Sequence, residues 1–215
     1  MTNCLQCVVD WSATGEMLQG VGANVGGVAI IIAAWFGSNT FENWKKQKIS
    51  EQKFLYAEKI LTSVYKARRE LSFVRSSFMS AEELAEADKK LVARNELDDL
   101  SKDRRDKLRV LQAVYMRLDR ALESRKDLEE CYPFARAIFG EKLDEDLQAL
   151  NHVFHSVRVF ADAQAEDRGH DPKFAKTIQT HLYEGYSGEG ENDVDTKIKN
   201  LVSEIERMCF PVLRI

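Results

Sequence analysis

Several of the commonest chemical signatures are missing from this chain. It contains no HExxH, GxxxxGK[ST], GxGxxG or GxSxG, so the zinc-protease, phosphate-cradling, dinucleotide-binding and serine-hydrolase patterns are absent. Histidine and cysteine are scarce at four residues each, and proline is scarcer at three. None of the four histidines follows a glutamate by three residues, the spacing a helical di-iron site requires, or an arginine at the spacing used by helical nucleases. His152 and His155 stand one helical turn apart, but a metal would need ligands from elsewhere, so they read as residues flanking a packed stripe. Cys4 and Cys7 form one CxxC and Cys131 and Cys209 stand alone, too little for a zinc site or a disulfide framework. The expectation is a chain without catalytic residues, metal or cofactor. A net charge of −4 argues against nucleic acid as the partner of the whole chain.

What is present is charge and helical periodicity. With 31% charged residues and so few prolines, the composition favours helices over a sandwich or barrel. One stretch differs, at residues 18–36, where no charge occurs. As a helix it would measure about 28 Å, near the roughly 30 Å of a bilayer core, and it reads as a single membrane span. From Phe41 to Arg75 nine basic residues face four acidic ones, which by the positive-inside rule puts the C-terminal part in the cytoplasm and residues 1–17 outside. The expected location is thus the inner membrane, crossed once, with lipid as one partner.

Inside that stretch Gly22 and Gly26 form a GxxxG, while Ala23 with Gly27 repeats small residues at the same spacing, and Asn24 could donate an interhelical hydrogen bond. These five residues are the expected helix–helix association face. Trp35, Trp44, Lys45, Lys46 and Lys48 are the expected interface anchors. The organisation read from the sequence is a tail at 1–17, a span at 18–37, a basic juxtamembrane helix at 38–79 and a helical bundle at 80–215.

Beyond the span, Phe54, Ala57, Leu61, Val64, Leu71, Val74 and Phe78 fall three and four apart, with Arg68 in the one missing position. Ser80 and Glu83 form a capping box that opens a new helix. Apolar residues thin out between 81 and 107, which predicts an exposed arm. A better stripe follows at Leu108, Leu111, Tyr115, Leu118 and Leu122, bounded by Pro133. Leu143, Leu147, Leu150, Phe154, Val157 and Ala161 make the second core helix. Asp171 before Pro172 opens a short helix, residues 184–192 form a glycine-rich acidic loop, and Val194, Ile198, Leu201, Ile205 and Met208 mark the last. Such stripes bury one another as an antiparallel bundle, so the expected fold is all-α. Tyr183 and Tyr186 border the acidic loop and suggest a partner-binding segment.

This layout, an uncharged stretch, a basic exit at Trp44 and a helical domain closing at Ile205 to Pro211, resembles small single-span bacterial membrane proteins of unknown function, some of them found in phage-defence loci. The resemblance implies a membrane-anchored interaction or effector protein that self-associates and binds a protein partner. The alternatives are a pore-like effector and, after that, a helical enzyme.

Overall fold

The computed structural model describes the backbone of residues 11–94, 96, 100–167, 171–186 and 191–214, and the side chains of those from Trp35 onward except 36, 38 and 39. Every element among them is an α-helix: α1 (Trp11–Val74), α2 (Ala81–Ala93), α3 (Lys102–Arg120), α4 (Leu122–Glu129), α5 (Tyr132–Phe139), α6 (Glu141–Glu166), α7 (Pro172–Leu182) and α8 (Asp193–Leu213). The all-α expectation is borne out. The chain divides into two compact units, Met1–Glu51 and Gln52–Ile215.

The spanning helix is corrected. Among the described residues no helix is long and apolar enough to cross a membrane. The expected transmembrane helix at 18–37 therefore goes, and with it the single-pass inner-membrane location and the outside-to-cytoplasm topology. A physical reason is visible in the chain itself. Gln19 and Asn24 interrupt the first half, and the unbroken apolar run covers only residues 25–36. Twelve residues make about 18 Å of helix, well short of the roughly 30 Å of hydrocarbon. Nor does the helix end at an interface: α1 continues through the glycine at 37 and through Lys45, Lys46 and Lys48. The side chains of Gly22, Ala23, Asn24, Gly26 and Gly27 lie outside the described residues, as do Cys4 and Cys7.

In the first unit the described side chains from Thr40 to Glu51 are exposed. The Phe41 and Trp44 rings sit one turn apart with centroids 5.8 Å apart. Lys48 pairs with Glu51 at 2.9 Å.

The second unit holds the core. On its part of α1, Ala57, Ile60, Val64, Ala67, Leu71 and Val74 are buried at alternating steps of three and four, the repeat that keeps one seam against its neighbours. Ala67 fills the place assigned to Arg68, which points outward. Phe78 lies past the end of the helix and is 77% exposed. As expected, most described residues of the stretch at 81–107 are exposed; the buried exceptions are Ala87 and Leu91 of α2, Ala87 being buried with Ala113 and Met116 of α3, while Met79 and Leu84 lean on them. All six residues of the α6 stripe, Leu143 through Ala161, are fully buried. Gly140, at φ +98, makes the corner between α5 and α6, a backbone state that an L side chain rarely adopts. Val194, Ile198, Val202, Ile205 and Cys209 of α8 complete the core. The helix carries Pro211 in its last turn.

Candidate functional site

Two buried arginines organise the second unit around the end of α1, and neither was legible as such in the sequence. Arg117 of α3 is 2% exposed. Its Nε donates to Glu83 Oε1 at 2.5 Å and its Nη2 to Glu83 Oε2 at 2.8 Å, a two-pronged pairing that suits the planar guanidinium. Its remaining donors go to carbonyl oxygens of the segment leaving α1: Nη1 to Phe73 at 3.0 Å and Ser76 at 2.7 Å, Nη2 to Phe78 at 2.6 Å. All five N–H groups are used. The guanidinium also lies 4.8 Å from the Phe73 ring centroid. Glu83 does two jobs: it sits at the third position of α2, where the Ser80 hydroxyl caps its amide at 3.2 Å, and it holds Arg117. Hydrogen bonding from Arg117 keeps the Glu83 carboxyl below its ordinary range.

Arg75 is 1% exposed and fastens the same segment to α7 and α8. Its Nε donates to the His181 carbonyl at 2.9 Å, its Nη2 to the Thr180 and Tyr183 carbonyls at 2.9 and 3.3 Å, and its Nη1 to Asp195. The first three are carbonyls at the C-terminus of α7, which lack helical partners and carry the negative end of the helix dipole. Asn192 works from the other side. Its Oδ1 accepts from the Val194 and Asp195 amides, capping α8, while its Nδ2 donates to the Thr180, Tyr183 and Tyr186 carbonyls. One asparagine and one arginine thus satisfy the end of one helix and the start of the next.

A sequence signal for both arginines exists in retrospect. Arg117 follows Ala113 and Val114 and precedes Ala121 on a buried stripe, and Arg75 follows Leu71 by four. A cation on an apolar stripe with small neighbours is a candidate for burial with partners.

The expected features fall elsewhere. His152 and His155 are exposed on α6 with ring centroids 5.4 Å apart, and among the described residues no group of three or more possible ligands could hold a metal. Tyr183 packs partly against the core, so it is not offered on a tether; residues 187–190 of the acidic loop lie outside the described residues. Cys131 and Cys209 are buried thiols. Trp35, Trp44, Lys45, Lys46 and Lys48 are all exposed on α1. Phe41 and Trp44 stand out at 62% and 54% exposure, with Ile49 and Leu55 also exposed further along the helix. No protein-family model matches the chain, and neither a curated protein nor a solved structure matches it.

Proposed function

We propose that this chain is a non-enzymatic helical interaction protein that self-associates through the exposed stretch of α1 around Phe41 and Trp44. The observation that supports the reading is the exposure of these two rings, followed by Ile49, on a stretch of helix within the first unit whose described neighbours are also exposed. Large aromatic side chains left in water at the centre of a helical stretch are the usual anchors of protein contacts. A second copy is the partner we favour because residues 40–51 carry both signs of charge, Glu42 and Glu51 against Lys45, Lys46 and Lys48. An antiparallel copy would bring acids of one helix against lysines of the other. The second unit, with its cross-linked helix ends, would then be the body that such an assembly presents to a further protein partner. The pore reading required the span and goes with it.

Light scattering on the full chain across a concentration series tests this. The wild-type chain is expected to gain mass with concentration, and Phe41→Glu with Trp44→Glu to return it to the monomer. A wild-type chain monomeric at every concentration, or a double variant that associates as before, would overturn the proposal.

A further inference from the structure

A cleft of about 620 Å³ opens between the last turns of α1 and the start of α8, entirely within the second unit. Its volume lies in the range of small-molecule sites. Arg68 and Arg69 line it from α1, Arg75 from just past the end of α1 and Lys199 from α8, against two carboxylates, Glu184 and Asp195. The carboxylates are already engaged. Asp195 holds Arg75 and accepts from the Gly185 amide at 2.7 Å, and Glu184 accepts from the Ser72 hydroxyl. Glu206, near the rim, accepts from the Tyr65 hydroxyl at 2.8 Å.

Three of the cations are not committed in this way. Arg68 and Lys199 form no hydrogen bond or ion pair among the described residues, and Arg69 reaches only its chain neighbour Glu70, at 3.8 Å. All three are exposed and can turn toward the opening. The floor between them is apolar, made by Leu71 and Ile198. Two unpaired cations and a third held only by its chain neighbour, around an apolar floor, form a complement to one kind of molecule, and two of the three carry guanidinium forks matched to tetrahedral oxyanions.

We propose that this cleft binds a phosphate-bearing small molecule, its anionic head held by Arg68, Arg69 and Lys199 and its less polar part resting on Leu71 and Ile198. The site is separate from the association face on α1 and stands or falls independently of it.

Calorimetric titration of the full chain with inorganic pyrophosphate, and separately with ATP, tests the assignment. Saturable one-site binding is expected for at least one of the two probes, weakened about tenfold or more when Arg68→Gln is combined with Lys199→Gln. Both residues are exposed and outside the core, so circular dichroism and the melting temperature should not change. Lys126→Gln with Lys173→Gln removes the same charge from exposed positions elsewhere and should leave binding intact. Absence of saturable binding for both probes, or an equal loss in that control, would overturn the proposal; the latter would show diffuse charge attraction instead of a site.

Discussion

Glu83 and Arg117 meet across two hydrogen bonds, 2.5 and 2.8 Å long, although they stand 34 positions apart on two different helices, α2 and α3. Removing the acid would strand a cation that is 2% exposed. The loss is tempered because three carbonyls still accept from the guanidinium. Glu83→Ala is expected to cost about 2–4 kcal/mol, somewhat less than the roughly 3–5 kcal/mol of breaking a buried pair outright, as read by urea denaturation.

The same pair predicts a response to acid. Because Arg117 depresses the Glu83 pKa in the folded chain, its contribution to stability is complete above the ordinary carboxylate range and is lost as pH falls through the lower folded value. Stability measured from pH 7 down to about pH 3 should therefore decline more steeply in the wild type than in Glu83→Gln. Parallel curves would remove this role from Glu83.

Asn192 distinguishes between capping and cross-linking. Aspartate is as good an N-cap as asparagine, so a simple cap would tolerate Asn192→Asp. Here the Nδ2 donates to three carbonyls, which a carboxylate would repel. Asn192→Asp should thus destabilise by about 2 kcal/mol or more, close to Asn192→Ala, in thermal or chemical unfolding.

Ala67 and its neighbour Arg68 offer a test of the α1 seam. Ala67 has no exposed surface, and Ala67→Leu should overpack the seam at about 1–3 kcal/mol. Arg68→Leu, one residue along and facing out, should stay within about 0.5 kcal/mol of wild type.

The thiols predict a chemical silence. Burial pushes the Cys209 pKa up to about 11, and burial likewise raises that of Cys131. Peptide-resolved alkylation of the native chain near pH 8 should spare both, and unfolding should expose both. Since folding favours the protonated thiol, Cys209 supports stability below its ordinary value and withdraws that support as pH rises through about 11.

Residues that obey a single rule were legible in the sequence. Each apolar residue of the α6 stripe is buried, because a long helix with apolar side chains three and four apart has one way to hide them. The Ser80 cap and the Asp171 cap before Pro172 also form where local chemistry puts them. Residues that answer to distant partners were not legible. Arg75 and Arg117 count as surface cations until the carbonyls they serve are brought beside them by the fold. Ala67 was passed over for Arg68 because a methyl group signals little in a pattern, though it lets helices approach closely. The stretch at 81–107 was legible as exposed, but its thin apolar pattern does not single out Ala87 and Leu91 as the residues that α2 buries. The uncharged stretch at 18–36 carried too few consecutive apolar residues for the part it was given.

The five donors of Arg117 have an evolutionary consequence. Lysine offers three donors from a single point and cannot reach a carboxylate and three carbonyls at once, so position 117 is closed to the commonest exchange of one basic residue for another. Position 83 is then closed to anything but a carboxylate, and position 192 to anything without both an acceptor and an amide. A distant relative that keeps this junction should retain glutamate, arginine and asparagine at these places while the exposed residues of every helix drift.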